Sequence, residues 1–176
     1  MSTLATLLVG YLATGTVFFN GARSAAPRLQ SEYEVKAAFL FNFTKFIEWP
    51  ASRLGRGDSI VIGIVGQDPF GKVIDDIVQG KSVNGHSLVV KRFKWSDDLG
   101  ICHMLFVPEG EQASGRLDRL ASRAVVVIGE TPGFNRKGGV INFVIESGRV
   151  RFEINGNTAK TAGVTISSKL LSLAKQ

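Results

Sequence analysis

The sequence predicts an α/β protein: a mostly parallel sheet flanked by helices, with a C-terminal antiparallel β-hairpin and terminal helices. Residues 59–66 and 124–130 are continuous apolar runs without polar alternation, which is typical of strands buried on both faces. Helical segments separate such runs along the chain, as parallel strands require. In residues 138–155 apolar and polar positions alternate on both sides of Ser147-Gly148, which predicts the hairpin.

The predicted elements follow one another without an internal repeat or a low-complexity linker. A helix over residues 32–47 ends before Trp49-Pro50, because the residue before a proline avoids the helical region. Strands are predicted at 59–66, 86–93, 104–109 and 124–130, and helices at 70–79 and 112–123. The last segment, 157–175, is predicted as helical with a break at Gly163.

The Ser147-Gly148 turn predicts the register of the hairpin. Glu146 then pairs with Arg149, Val144 with Arg151, and Asn142 with Glu153. The core face receives Ile141, Phe143, Ile145, Val150, Phe152 and Ile154. The other face, on an antiparallel edge, carries Asn142, Glu146, Arg149, Arg151 and Glu153, and we expect it to be half-exposed.

Residues 1–26 predict a secretory signal peptide. No residue from Leu4 to Phe19 is charged, and the small residues that follow offer cleavage after Ser24 or after Ala26. The apolar stretch is short for a membrane span, but no Lys or Arg precedes it, which leaves an uncleaved anchor as the alternative. We therefore expect an exported protein with a single domain over residues 27–176 and no membrane insertion after cleavage.

Charge and composition disfavour a nucleic-acid-binding protein. The chain has 176 residues, of which 44% are hydrophobic, and a formal net charge of +6. Its basic residues are scattered, and no run of five or six Lys or Arg forms a nucleic-acid arm. We expect no nucleic-acid partner, and the positive charge serves solvation and mild attraction to anions.

No catalytic constellation stands out, so we expect no enzymatic activity, no catalytic residues and no cofactor. Cys102 is the only cysteine, and the adjacent His103 points to the opposite face of the strand. His86 is the only other histidine, which leaves too few ligands for a zinc site. Residues 66–71 lack the spacing of a phosphate loop, and the S-x-x-K match at 172–175 lacks its companion motifs.

Residues 31–50 contain six aromatic side chains: Tyr33, Phe39, Phe41, Phe43, Phe46 and Trp49. On a helical wheel, Val35, Phe39, Phe43 and Phe46 form the expected core stripe, and Tyr33, Ala37, Leu40, Thr44 and Ile47 form a second one. The second stripe is covered either by another helix, such as the C-terminal one, or by a partner. Phe41 falls among charged residues, which favours a partner contact there.

Five motifs carry a resemblance to a known family. They are Y-E-V-K-A-A-F-L-F-N-F-T-K-F-I-E-W-P, G-x-D-P-F-G after the first strand, C-H-M-L-F-V, G-F-N-x-x-G-G-V-I-N-F, and the closing V-R-F-E-I-N-x-x-x-A-x-x-A-G-V-T-I-S-S-K-L-L-x-L-A. In this order they cover about residues 32–174. The chain resembles the YfiR family of bacterial periplasmic proteins.

The resemblance implies an exported α/β protein that forms homodimers. The characterised type binds the periplasmic sensor domain of a membrane diguanylate cyclase and holds the enzyme inactive, which lowers cyclic di-GMP and biofilm formation. By motif position the partner-binding residues are Ile141, Glu153 and Ala159; Glu153 also lies on the polar hairpin face, together with Arg151. Some relatives carry oxidisable cysteine pairs, and the single Cys102 argues against such gating here.

Two further functions compete with the repressor. A small-molecule sensor would use a crevice framed by the strand ends at residues 66–71 and 108–110. A hydrolytic enzyme is the third, and the motif survey disfavours it.

Overall fold

The computed structural model of the chain describes residues 26–111, 113 and 115–175, with only the backbone for residues 26–28. Apart from Ala26, the predicted signal peptide lies outside these residues. The helices are α1 (Ala26–Phe43), α2 (Val73–Val78), α3 (Leu117–Ala121), α4 (Gly156–Thr161) and α5 (Ser168–Leu173), with 3-10 turns at Leu99–Ile101 and Phe134–Lys137. The strands are β1 (Ile47–Glu48), β2 (Ile60–Val65), β3 (Ser82–Val83), β4 (His86–Phe93), β5 (Met104–Val107), β6 (Val126–Gly129), β7 (Ile141–Glu146), β8 (Arg149–Ile154) and β9 (Thr165–Ile166).

The main sheet confirms the predicted fold class. Its strand order is β3-β4-β2-β5-β6-β7-β8, and β4, β2, β5, β6 and β7 run parallel. The antiparallel hairpin β7–β8 forms one edge, with the predicted pairs Glu146–Arg149, Val144–Arg151 and Asn142–Glu153. The short strand β3, which the sequence analysis missed, joins β4 through Asn84 and Gly85, both with left-handed φ angles.

Two apolar clusters cover the two faces of the sheet. The larger one packs α1, α2, α4 and α5 on the first face, around Leu40, Ile62, Phe106 and Phe143. The smaller one packs α3 and the 3-10 turns on the second face, around Cys102, Leu105, Leu117 and Phe134. In the part of the chain that the structure describes, no helix combines the length and apolarity needed to cross a bilayer.

The first helix ends four residues earlier than predicted. Its last residue is Phe43, and the hydroxyl of Thr44 donates a hydrogen bond to the carbonyl of Phe41 at 2.6 Å, in competition with the backbone of the helix. The chain then becomes extended, and Ile47–Glu48 pairs antiparallel with Thr165–Ile166. The Trp-Pro dipeptide therefore follows a strand rather than a helix.

The buried side of α1 also differs from the predicted core stripe. Val35, expected in the core, is exposed, whereas Ala37 and Leu40 from the second stripe are fully buried. Lys36 is buried as well, because its ammonium group binds Glu130 at the end of β6. Phe43 of the predicted stripe is nevertheless buried and Phe39 packs against the same cluster, so both stripes contribute to the core and the Lys36–Glu130 contact holds α1 in this orientation.

A network of hydrogen bonds holds the Glu130 carboxylate. Lys36 Nζ lies 2.5 Å from one oxygen, while the Tyr33 hydroxyl at 3.1 Å and the Glu109 amide at 2.9 Å donate to the other. Lys36 Nζ also lies 2.5 Å from Glu32. Burial, reinforced by the charge of Glu130, raises the pKa of Tyr33, so the phenol stays protonated as a donor.

The C-terminal segment contains a strand that the sequence analysis did not predict. The predicted break at Gly163 is confirmed, with a φ of 70°. Between α4 and α5, however, Thr165 and Ile166 form β9, the partner of β1. Asn155 and Ser167 cap these two helices by accepting the amides of Thr158 and Leu170.

His103 connects the loop after β1 to the sheet as a neutral imidazole. Its Nδ1 accepts the Val61 amide at 3.0 Å, and its Nε2 donates to the carbonyl of Arg53 at 3.2 Å. Burial first, and then the charge of Arg53, lowers the pKa of His103 below its usual value of 6.5. Protonation of Nδ1 would replace an acceptor by a donor that faces the Val61 amide.

We expect the free energy of unfolding to fall as the pH drops from about 7.5 to about 5.5, because the unfolded chain binds a proton at His103 before the folded chain does. One such proton limits the slope to about 1.4 kcal/mol per pH unit. Urea denaturation measures it. A His86→Gln variant should keep the slope and a His103→Gln variant should lose it; equal slopes in both variants would contradict this role of His103.

We expect Lys36→Met to destabilise the protein by roughly 3–5 kcal/mol at neutral pH, because it leaves the buried Glu130 carboxylate without its cation. Urea denaturation again measures the change. The double variant Lys36→Met/Glu130→Gln should recover part of the loss, since it removes the uncompensated charge. A loss below about 1 kcal/mol in the single variant would mean that the ion pair does not hold α1 in place.

Candidate partner-binding surface

The outer face of the β7–β8 hairpin presents charged side chains near the C-terminus. Arg149 and Arg151 are exposed and Glu153 is half-buried. The Lys175 amide donates to the Phe152 carbonyl at 2.8 Å, which places the end of the chain along part of the β8 edge. The Lys175 ammonium lies 3.0 Å from Glu146, and this hydrogen bond holds the pKa of the Glu146 carboxyl below its usual range.

Two residues of the hairpin depart from the predicted faces. Asn142, predicted on the half-exposed face, is only 1% exposed, because the 3-10 turn Phe134–Lys137 packs on this end of β7. Neither polar atom of its amide has a hydrogen-bond partner among the described residues. Ile145, predicted in the core, is 53% exposed at the far end of the strand. The exposed charged face is therefore limited to β8 and the tip of the hairpin.

Ile141 and Ala159, the other two residues assigned by motif position, are buried. Ile141 lies opposite Ile154 of β8 and Ile128 of β6 and has no exposed surface. Ala159 is 3% exposed on α4, which the Asn155 cap holds directly after β8. Their side chains pack inside the protein, where they hold β7 and α4 in place, and they are not presented at the surface.

A groove of about 430 Å³, lined by apolar side chains together with Lys160 and Thr165, runs beside Ala159, between α4, β9 and α5. Its lining includes Val164, Ile166 and Leu171. Leu171 is exposed on α5, and so is Leu173, the last residue of that helix. The groove follows the charged hairpin directly in the chain, and we call the two together the C-terminal surface. The groove was not predicted from the sequence, although the L-L-x-L spacing at residues 170–173 places more leucines on α5 than its buried side needs.

Phe41 lies apart from the C-terminal surface. Its ring is half-buried, with Lys45 Nζ at 4.2 Å and Lys81 Nζ at 4.8 Å from the centroid. Phe39 and Phe43, in contrast, contact Phe152 of β8 with centroid distances of 5.4 and 5.0 Å. The structure therefore does not bring Phe41 together with Arg151 and Glu153.

The crevice expected between residues 66–71 and 108–110 is filled by Glu111. Its carboxylate accepts the Gln67 amide at 3.3 Å and the Trp95 indole N–H at 2.6 Å. It also lies so close to Gly66 that a Cβ there would collide with it. This side chain occupies the position where the strand order reverses and where α/β proteins often bind ligands.

A cavity of about 450 Å³ lies further along the same edge of the sheet, above the Lys36–Glu130 pair. Leu29, 52% exposed, and Ile145 form its apolar rim, and Phe143 and Val144 contribute to its wall. The one sequence signal for this cavity is Glu130, an acidic residue directly after the buried strand β6, and the cavity was not predicted from it.

Cys102 and His103 do not form a joint reactive site. Cys102 packs in the cluster on the second face, whereas His103 contacts Trp49. Burial raises the pKa of the Cys102 thiol to about 12, which disfavours the thiolate. Among the described residues, no group of three or more His, Cys, Asp or Glu side chains is arranged to hold a metal ion.

Comparison with known proteins places the chain in a family. No curated protein matches it. The model of the YfiR/HmsC-like family matches residues 33–175, which include the whole sheet and all five helices except the first turns of α1. This family is a regulatory, non-catalytic one of periplasmic proteins that act on diguanylate cyclase signalling. The protein belongs to the YfiR/HmsC-like family.

Proposed function

We propose that this protein is a periplasmic, non-enzymatic repressor that binds the periplasmic sensor domain of an inner-membrane diguanylate cyclase and lowers cyclic di-GMP and biofilm formation. The family match supports the class of function. The observation that carries the proposal is the C-terminal surface, in which an exposed charged strand is followed in the chain by the two helices that line an open groove. Regulatory protein–protein interfaces commonly combine charged and apolar side chains.

Charged and apolar residues have different roles at the C-terminal surface. Arg149, Arg151 and Glu153 give orientation and specificity, since charges at the rim select the partner. Leu171 and the groove next to it supply apolar area for affinity. Ile141 and Ala159 act from beneath, by fixing the strand and helix that carry these groups. We also expect the protein to form homodimers, with export directed by residues 1–26.

Repression requires the protein to bind the inactive geometry of the sensor domain more tightly than the active one. A tenfold shift in the cyclase equilibrium needs about 1.4 kcal/mol of difference in binding free energy. One or two contacts at the C-terminal surface that form in only one geometry are sufficient. Phe41, flanked by two lysines, is a second contact point on another side of the molecule, where it suits an acidic segment of a partner.

We expect Glu153→Lys to fold normally and to lose at least tenfold in partner capture, because it reverses a charge on the hairpin part of the C-terminal surface. The measurement is in-cell crosslinking of the tagged protein, recovery from solubilised membranes and mass spectrometry. Wild type should recover a membrane protein that contains a diguanylate cyclase domain. The control is Asp76→Lys, an exposed charge reversal on α2; recovery of the cyclase in equal amounts by both variants would remove Glu153 from the interface.

We expect Leu171→Lys to weaken the same capture with little change in stability, since Leu171 is already 41% exposed. The groove would lose apolar contact with the partner and gain an unpaired charge. Val35→Lys, at an equally exposed position on α1, is the matched control. If Val35→Lys reduces capture as much as Leu171→Lys does, the groove is not the apolar part of the interface.

The cavity above the Lys36–Glu130 pair favours a second candidate, a small-molecule sensor with another output. It lies at the carboxyl ends of parallel strands, where α/β proteins commonly bind ligands, and has an apolar rim over a charged floor. A thermal-shift screen against a broad metabolite panel tests it. A ligand-dependent rise in melting temperature that Ile145→Lys abolishes would support it, and a flat response across the panel would count against it.

A further inference from the structure

An open groove of about 620 Å³ lies on the second face of the sheet, opposite α1 and α2. One wall is α3 with its flanking residues, and the other is the segment between β4 and β5 that contains Trp95 and the 3-10 turn Leu99–Ile101. This groove is separate from the C-terminal surface and from Phe41. Neither the family match nor the proposed repression uses it.

Three arginines on one side of α3 define the chemistry of the groove. Arg116, Arg119 and Arg123 follow one another at intervals of three and four, which puts their side chains on one helical face. The Arg116 guanidinium lies 5.2 Å from the centre of the Trp95 ring and donates to the Trp95 carbonyl at 2.5 Å. Arg119, between the other two, is exposed, and no ion pair to it is found in the described part of the chain.

Two carboxylates also line the groove, and both are already engaged. Asp98 binds Arg123 at 2.5 Å, and this hydrogen bond lowers the pKa of the Asp98 carboxyl. Asp97 accepts the Lys94 amide at 2.7 Å. Three arginines against these two aspartates leave the lining with one net positive charge, and Arg119 is the arginine whose side chain has neither an ion pair nor a hydrogen bond among the described residues. Helix α2 on the opposite face instead carries Asp75 and Asp76 and no basic residue.

We propose that the α3 groove is a docking surface for anionic phospholipid headgroups, so that the protein adsorbs to the membrane surface through Arg119 and its neighbours. Arg123 supports this surface by lying across the backbone of Gly100, where a Cβ would collide with its guanidinium. Trp95, half-buried in the lining of the groove, already donates its indole N–H to Glu111, and its aromatic ring is of the kind favoured at membrane interfaces. Basic residues near an anionic surface each contribute to adsorption.

The shape of the groove favours a lipid surface over a soluble anion. The three arginines are spread along α3 and do not converge on one point. Arg116 and Arg123 each already donate a hydrogen bond to an acceptor within the protein. Ile101, beside the groove-lining Gly100, is an exposed apolar side chain, 39% accessible, that suits the headgroup region. A site built for a small phosphate would need enclosed donors.

The test is co-sedimentation of the purified protein, in the form that the cell exports, with vesicles of phosphatidylglycerol and phosphatidylcholine or of phosphatidylcholine alone. We expect binding only to the anionic vesicles, weakened by salt, and a blue shift of Trp95 emission that Trp95→Phe removes. Arg119→Glu should reduce vesicle binding roughly tenfold or more. The matched control Lys72→Glu has the same charge change at an exposed site on the first face and should bind as wild type does.

Three results would overturn the proposal. Equal weakening by Arg119→Glu and Lys72→Glu would indicate a general charge effect, and equal binding to both kinds of vesicle would exclude headgroup recognition. A shift of Trp95 emission by soluble glycerol phosphate as large as that with vesicles would make the ligand a small anion.

The melting temperature of Arg119→Glu is the control for folding. The Arg119 side chain makes no hydrogen bond among the described residues, so we expect this temperature to stay unchanged. A loss of vesicle binding is then not a loss of fold.

Discussion

The ion pair between Lys36 and Glu130 determines how the first helix lies on the sheet. Both side chains are almost fully buried, and Glu130 is also held by Tyr33 and by the backbone amide of Glu109. A buried carboxylate with several donors tolerates little displacement, so α1 is fixed in rotation as well as in position. That rotation places Phe39 and Phe43 against Phe152 of β8. The orientation of the hairpin, and thus of the C-terminal surface, depends on it.

The molecule presents different chemistry on its different sides, which suits a regulator that binds more than one surface. The hairpin and the α4–α5 groove combine exposed charge with apolar area, whereas the α3 groove is basic and contains an aromatic ring. We propose that the hairpin and the α4–α5 groove bind the sensor domain. The α3 groove binds the membrane in which the cyclase is anchored. Restricting the protein to that surface would raise its effective concentration near its partner without any new protein contact.

Local signals in the sequence were sufficient for the longer strands of the main sheet and for the hairpin register, because apolar runs and a two-residue turn act over a few residues. They did not predict β1, β3 and β9, which have two residues each. The β4 strand and the Asn142–Glu153 pairing came out as predicted. The rotation of α1 did not, since it depends on Glu130, far away in the chain. The same holds for Ile47, which leaves the predicted helix to pair with Ile166. At the candidate site, Arg151 and Glu153 were predicted on the surface, while the groove beside Ala159 required the packing of three separate elements.

The most direct test of the central claim is the level of cyclic di-GMP in cells that lack the gene, compared with the same cells carrying the wild-type gene. Repression of a diguanylate cyclase predicts that deletion raises cyclic di-GMP and that the wild-type gene restores the lower level. An unchanged level after deletion would contradict repression, because removing an inhibitor of an active cyclase must increase its product. The fold and the family would stand, and the cavity above Lys36 and Glu130 would then be the first place to look for another function.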